Sequence, residues 1–295
     1  MNPVRSLALP HGRALSLSSG PLVMGIVNVT PDSFFAPSRR ESAISAADEA
    51  LAMEAQGAAI IDVGGESTRP GSDYVGEEEE LGRVLPAIEA IRARSDITLS
   101  VDTRRSSVAS AALDAGADIV NDITALYGDP AMIDVVSTKG AAVVLMHMQG
   151  EPKTMQSSPS YADCAAEVRD FLAKAASRAR AAGIGEDRIL VDPGIGFGKT
   201  LSDNLELLSR LDAVADLGYP VLVGLSRKTF VGAITGKDAE GRLAGSLGAA
   251  CAGYARGARV FRVHDVAATV DALAVYAAIS DRDAISDRDA AWRSV

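Results

Sequence analysis

The chain has 295 residues, of which 47% are hydrophobic and 23% are charged, and its formal net charge is −10. This composition is typical of a soluble globular protein, and the acidic balance argues against a nucleic-acid-binding surface, although it does not exclude a small anionic substrate held by a local cluster of arginines. No apolar run approaches the ~20 residues that a membrane span needs, and the first residues hold no continuous apolar signal segment. The two cysteines form no spaced motif, which is typical of a reducing compartment without disulfides. We therefore predict a cytoplasmic protein.

Eight short apolar runs recur along the chain, and each ends at a polar or charged residue. Runs of this length are typical of parallel strands that are buried on both faces, and stretches of helical length separate them. The alternation predicts a (β/α)8 TIM barrel of ~250 residues, whose functional residues lie at the carboxyl ends of the strands. The eight runs are Leu22–Val29, Ala59–Val63, Ile97–Val101, Asp118–Val120, Ala141–Met146, Ile189–Val191, Val221–Leu225 and Val260–Val263.

The segments before and after these runs complete the predicted domain. Ala14–Leu17 is typical of a short strand that precedes a turn, so we expect a leading N-terminal hairpin to close the bottom of the barrel. We predict one domain over residues 1–280 and a polar tail over 281–295, because a short polar motif repeats there without the copies that a solenoid needs.

Two of the predicted helices have informative sequences. Residues 77–80 are four glutamates, and they favour a solvated helix start because acidic side chains complement the positive end of the helix dipole. The first helix is predicted over Ala43–Gln56, with an apolar face of Ile44, Ala47, Leu51 and Ala55.

Anion-binding side chains lie on the first and the last strand of the predicted barrel, which are neighbours in a closed sheet. Arg262 and His264 are two residues apart and therefore share a face of their strand, where they can clamp a phosphate. Asn28 at the end of the first strand can offer its amide oxygen to Mg²⁺ carried by a diphosphate. The alternative is a salt-bridged core arginine, which we disfavour because the nearest acid, Asp265, faces the other way.

Asp102, Asn121 and Asp192 stand at the ends of the third, fourth and sixth strands. Two carboxylates and an amide at a barrel mouth can bind the donors and acceptors of a flat nitrogen heterocycle, because a carboxylate accepts two parallel N–H bonds. The alternative for Asp102 is an ion pair with its neighbours Arg104 or Arg105.

Glycine-rich and lysine-containing turns surround the same rim. Lys228 and Thr229 follow the seventh strand where a helix begins, which favours a carboxylate or phosphate site. Gly194–Thr200 ends like a phosphate-binding P-loop, but Pro193 occupies the position where that motif needs glycine, so nucleotide hydrolysis is disfavoured.

Taken in order, these segments resemble the dihydropteroate synthase family of pterin-binding TIM-barrel enzymes. The resemblance spans residues ~22–265 and keeps the family's order, which is far more specific than any single motif. The matching segments are Met24–Phe34, Ile60–Ser72, Ser100–Thr103, Asn121–Asp122, Asp192–Lys199, Ser226–Lys228 and Arg262–Asp265.

The resemblance implies condensation of 6-hydroxymethyl-7,8-dihydropterin diphosphate with 4-aminobenzoate to 7,8-dihydropteroate and diphosphate, by a homodimer that uses Mg²⁺. The implied pterin ligands are Asp102, Asn121, Asp192 and Lys228. The implied diphosphate ligands are Asn28, Arg69, Arg262 and His264, with Mg²⁺ near Asn28. The implied aminobenzoate slot consists of Thr68, Pro70, Phe197, Lys228 and Thr229. The implied catalytic residues are Asp102, Lys228, Arg262 and His264.

The sequence departs from the family pattern after Phe34, where Phe35–Arg40 replaces small and acidic residues. A similar run occurs in sulfonamide-insensitive members, but the second loop keeps the standard form here, which favours ordinary sensitivity. Three other functions stay open at this point. They are a pterin-binding methyltransferase, a Schiff-base lyase that uses Lys199 or Lys228, and a pterin-binding protein without catalysis.

Overall fold

Eight parallel strands close into a barrel in the order β10-β3-β4-β5-β6-β7-β8-β9, so the predicted TIM barrel is confirmed. The structure is a computed structural model that describes residues 4–18, 20–29, 36–66 and 75–280, with only the backbone of residues 36–41. The barrel strands are β3 Leu22–Asn28, β4 Ile60–Gly64, β5 Thr98–Asp102, β6 Ile119–Asp122, β7 Ala142–Met146, β8 Ile189–Asp192, β9 Val221–Gly224 and β10 Ala258–Val263.

Ten α-helices stand among the described residues, and most of them follow a barrel strand. They are α1 Ala36–Ala55, α2 Glu77–Arg92, α3 Ser106–Asp114, α4 Met132–Lys139, α5 Cys164–Ala181, α6 Leu201–Ser209, α7 Asp212–Ala215, α8 Thr229–Thr235, α9 Leu243–Ala255 and α10 Val266–Ser280. Within the described part of the chain, no helix is both long enough and apolar enough to cross a membrane. Residues 281–295, the predicted tail, lie outside the described residues.

The N-terminal hairpin closes the lower end of the barrel, as predicted. Strands β1 (Ser6–Ala8) and β2 (Ala14–Ser16) pair antiparallel. Leu7, Leu9 and Leu17 join the inward-facing apolar side chains of the strands in one cluster. That inward-facing set is Met24, Ile60, Ile119, Ala142, Val144, Leu190, Leu222 and Val260.

A buried carboxylate fastens the hairpin to the barrel wall. Asp118, just before β6, accepts hydrogen bonds from Arg13 Nη1 at 2.6 Å and Arg92 Nη2 at 3.0 Å. It also accepts the backbone N–H of Leu99 at 2.9 Å. One carboxylate therefore joins the hairpin, helix α2 and strand β5 at the lower end.

Two helix expectations were wrong in detail. The face of α1 that packs on the barrel differs from the predicted one, because Ile44 is 48% exposed. The buried face consists of Ala43, Ala46, Ala47, Ala50 and Met53. Small alanines let the helix approach the strands closely. At the start of α2, Glu80 is fully buried although a solvated helix start was expected, because it pairs with Arg105 on the neighbouring strand–helix turn.

Candidate active site

A ring of polar side chains replaces the apolar lining in the upper half of the barrel. Strand residues alternate between the two faces of the sheet, so residues two positions beyond the inward-facing apolar set also point inward. Cross-strand register places Asn28 beside Gly64, Gly64 beside Asp102, and Asp102 beside Asn121. The buried or half-buried members of the ring are Asp62, Ser100, Asp102, Asn121, Asp192 and Arg262.

Arg262 lies at the centre of this ring and is paired with two carboxylates. Its Nε donates to Asp62 Oδ2 at 2.6 Å and its Nη2 donates to Asp102 Oδ2 at 2.8 Å. Burial disfavours its charge, but the two carboxylates prevail and raise the pKa of Arg262. The expectation that no acid pairs with Arg262 was wrong, although Asp265 does face away and pairs instead with Arg227.

Asp62 is the site residue that sequence reasoning missed. It is fully buried, and its Oδ2 accepts a second hydrogen bond, from Asn121 Nδ2 at 3.1 Å. The signal was present in the sequence, because Asp62 stands between Ile60 and Gly64 on the inward face of a strand, where an acid needs a cationic partner. Its position in the middle of the run, and not at the end, concealed it.

Burial raises the pKa values of both predicted pterin carboxylates toward neutral pH. Burial raises the pKa of Asp102 to about 7, with Asp62 acting in the same direction and Arg262 opposing. Burial likewise raises the pKa of Asp192 to about 6, against the hydrogen bond that Gly194 N donates to its Oδ1 at 2.7 Å. The alternative ion pairs of Asp102 with Arg104 or Arg105 do not form, because those arginines pair with Glu66.

Lys228 and Phe197 are brought together from separate turns, as the predicted aminobenzoate slot requires. Lys228 Nζ lies 4.2 Å from the centroid of the Phe197 ring, within the range of a cation–π contact. Thr229 is the first residue of α8 and is exposed to solvent. The cation and the aromatic ring are therefore in contact, and the hydroxyl-bearing residue follows Lys228 directly in the chain.

The predicted anion ligands stand at different depths of the rim. Asn28 is exposed at the end of β3, while Arg262 pairs in register with Met24, four residues deeper. His264 Nδ1 lies 3.2 Å from Ser226 Oγ. Thr68, Arg69 and Pro70 lie outside the described residues. On either side of them, the N–H of Val75 donates to Glu66 Oε1 at 3.0 Å.

Asn28 can offer a bound Mg²⁺ one neutral oxygen ligand at the end of β3. A Cβ placed on Gly64 would lie 3.9 Å from Asn28 Oδ1 and 3.8 Å from Asp102 Oδ2, so both oxygens lie beside the same glycine. Among the described residues, no group of three His, Cys, Asp or Glu side chains can hold a metal ion. This donor set fits Mg²⁺ that arrives on a diphosphate and keeps its waters, which is its usual mode with phosphates.

The fold and this ring define a class of protein: a TIM barrel with charged and polar side chains at the carboxyl ends of its strands, the place where enzymes of this fold act. Comparison with known proteins agrees. The family model described as "Pterin binding enzyme" matches residues 24–264. The dihydropteroate synthase of Escherichia coli (strain K12) is 46% identical over 265 residues, 90% of this chain and 93% of that protein.

Solved structures give the same result. The dihydropteroate synthase of Xanthomonas albilineans with 4-aminobenzoic acid superposes with a TM-score of 0.86 at 46% identity, covering 94% of this chain and 98% of that one. The Yersinia pestis enzyme with a sulfonamide drug complex has a TM-score of 0.86 at 43% identity, with coverages of 92% and 98%. The chain therefore belongs to the pterin-binding enzyme family, in its dihydropteroate synthase branch, whose members are transferases.

Proposed function

We propose that the chain condenses 6-hydroxymethyl-7,8-dihydropterin diphosphate with 4-aminobenzoate, and that the polar ring and the rim carry the reaction. The observation that carries this proposal is the hydrogen-bonded set of Asp62, Asp102, Asn121 and Arg262 inside the barrel. The contact of Lys228 with the Phe197 ring supports it. The similarity to the X. albilineans enzyme, whose structure holds 4-aminobenzoic acid, supports the second substrate.

The pterin lies against the carboxylates in this proposal. Asp192 accepts the two parallel N–H bonds of the 2-amino-pyrimidinone edge, and Asp102 and Asn121 meet the opposite edge. Arg262 keeps Asp102 oriented toward the mouth, and because a guanidinium has five N–H groups, it can also donate to a diphosphate oxygen.

The chemistry needs electrostatic stabilisation more than a nucleophile. The C–O bond of the pterin methylene breaks, its electron pair leaves with the diphosphate, and the ring stabilises the resulting cation. Asp102 favours that cation, while His264, Arg262 and Lys228 favour the departing anion. The aminobenzoate nitrogen then forms the new C–N bond and releases one proton, for which we assign no base. Mg²⁺ held at Asn28 would neutralise charge on the diphosphate.

Diphosphate release from the pterin diphosphate, measured with and without 4-aminobenzoate and Mg²⁺, tests this function. We expect release that depends on both and a stoichiometric pteroate product. Release without aminobenzoate would identify a hydrolase, and no release with intact pterin binding would identify a binding protein. Methyl transfer from a pterin would identify the methyltransferase alternative.

We also propose a cytoplasmic homodimer. Helices α9 and α10 pack on each other, yet Val275 and Ile279 on α10 are 60% and 71% exposed, which is more apolar surface than a solvated helix needs. The two free thiols, Cys164 and Cys251, support a reducing compartment. Light scattering at micromolar concentration should give twice the mass of the chain, and a monomer would contradict the dimer.

A further inference from the structure

The glycine-rich turn that resembles a P-loop folds against the protein and not around a phosphate. Gly194 has φ +66, and a Cβ on it would lie 1.9 Å from the carbonyl oxygen of His147. Gly198 has φ +61, and a Cβ there would lie 2.2 Å from the carbonyl oxygen of Gln149. The glycines are therefore required because the turn between β8 and α6 packs directly on the backbone that follows β7.

The lysine that ends this turn binds the turn itself. Lys199 is only 3% exposed, and its Nζ donates to the carbonyl oxygens of Gly194 at 2.9 Å and Phe197 at 3.1 Å. The third partner is His147 Nδ1 at 3.0 Å. A fourth and longer contact joins Nζ to the carbonyl oxygen of His147 at 3.5 Å. The turn and the backbone after β7 therefore supply acceptors for every N–H of the ammonium group.

His147 is arranged to accept this bond. Burial, reinforced by Lys199, lowers the pKa of His147 to about 3, so the imidazole is neutral. In the tautomer that is protonated at Nε2, its Nδ1 accepts the Lys199 hydrogen bond. The ring is fixed edge-on against Phe171, with centroids 4.9 Å apart. Burial lowers the pKa of Lys199 to about 7, which by itself would favour a reactive amine. Its Nζ is nevertheless bonded to the turn and buried with the rest of the residue, so we assign it to the turn and not to a Schiff base or a phosphate.

We propose that Lys199 is a positioning residue for the aminobenzoate slot. By holding the carbonyl groups of Gly194 and Phe197 together, it fixes the turn that places the Phe197 ring 4.2 Å from Lys228 Nζ. Strand β8 holds the backbone of Asp192, but Gly194 N–H donates to its Oδ1, and the charge of Lys199 opposes the burial that raises its pKa. Pterin binding is therefore compared well above pH 6, where this carboxylate stays ionised. This inference rests on the proposed function, since it assigns Phe197 to the second substrate.

Lys199→Met tests the proposal, because methionine keeps an unbranched apolar chain but removes the three hydrogen bonds. We expect the KM for 4-aminobenzoate to rise tenfold or more, while the pterin Kd from calorimetry stays within threefold of the parent. Lys199→Gln, which keeps two N–H donors without the charge, should fall between the parent and Lys199→Met. The matched control is Lys139→Met on α4, where the lysine pairs with Asp114 at 2.7 Å and lies on another helix; its constants should equal those of the parent.

Circular dichroism sets an assay temperature at which each variant is folded. An aminobenzoate KM within threefold of the parent would overturn the proposal, even if the melting temperature falls. Equal weakening of pterin and aminobenzoate binding would overturn it too, because it would show general loosening of the site. Failure of both Lys199 variants to fold would likewise assign Lys199 to stability alone. An inactive parent would instead contradict the proposed function, so the two failures are distinguishable.

Discussion

The lower and upper halves of the barrel interior are built by the same alternation of strand residues, yet they hold opposite chemistry. The lower half is apolar and is filled by Leu7, Leu9 and Leu17 of the hairpin. Two residues further along the strands, the inward positions become Asp62, Asp102 and other polar groups. The packed apolar lower half is rigid and excludes water. It therefore holds the charged side chains of the polar ring in a fixed arrangement.

The two halves also contribute differently to the stability of the fold. Burying apolar side chains stabilises the fold, whereas burying Asp102 and Asp192 raises their pKa values and opposes ionisation. A change in the lower half should therefore lower stability with little effect on substrates. A change in the upper half should alter binding and catalysis, and it should lower stability as well where it breaks a buried ion pair.

Arg262→Met should have the largest effect, because it removes the cation on which two buried carboxylates depend. Breaking a buried ion pair from one side costs about 3–5 kcal/mol, and losing this group should lower kcat/KM on the order of 10²–10³-fold. Urea unfolding and diphosphate release measure the two effects. Parent-like stability and activity would show that Arg262 does not organise the ring.

Leu7→Ala should lower the free energy of unfolding by about 2–5 kcal/mol, because the leucine is fully buried among the inner side chains. KM for both substrates should stay within twofold. Leu15→Ala, a change in its partly exposed partner on the same hairpin, should cost less. If Leu7→Ala instead raised KM in a stable protein, the two halves would not be separable.

Thr229→Ala should raise the aminobenzoate KM by tenfold or more, since losing a hydrogen bond to a charged group costs ~1.5–3 kcal/mol. The pterin KM should hardly change, whereas Lys228→Ala should impair both substrates. Thr235→Ala is the control, because that hydroxyl ends the same helix and bonds Val231 O. Equal effects of Thr229→Ala on both substrates would mean that the slot is misplaced.

The pH should act on binding and stability in opposite directions. Asp192 must be ionised to accept two N–H bonds, and its pKa is raised to about 6, so pterin affinity should fall below pH 6 by up to tenfold per pH unit. A raised folded-state pKa means that the folded protein binds the proton more tightly than the unfolded chain, so this group's contribution to stability falls as pH rises from about 4 to 6. Calorimetry gives the pterin affinity at each pH, and urea unfolding gives the free energy of unfolding at each pH. The difference between the parent and Asp192→Ala gives the part of each pH dependence that Asp192 causes. A pterin affinity independent of pH would remove Asp192 from the site.

The sequence predicts those site residues that end a strand, because the end of an apolar run is visible in one dimension. Asp102, Asn121 and Asp192 were found in this way, and the closed barrel brings their strands to one mouth. Asp62 was missed because it stands in the middle of an apolar run, and the burial of Glu80 was missed because its partner Arg105 follows a different strand. Pairing of this kind is decided by packing, not by spacing in the sequence.

Pterin binding by Asp192→Ala and Leu7→Ala, measured side by side by calorimetry on folded protein, tests the division of the barrel most directly. Truncating a buried hydrogen-bonded carboxylate at a binding site typically costs ~2–5 kcal/mol, so Asp192→Ala should weaken pterin binding at least about thirtyfold while keeping the parent's fold. Leu7→Ala should bind within threefold of the parent although it unfolds more easily. Parent-like affinity in Asp192→Ala, or an equal loss in both variants, would contradict the assignment of chemistry to the upper half and support to the lower.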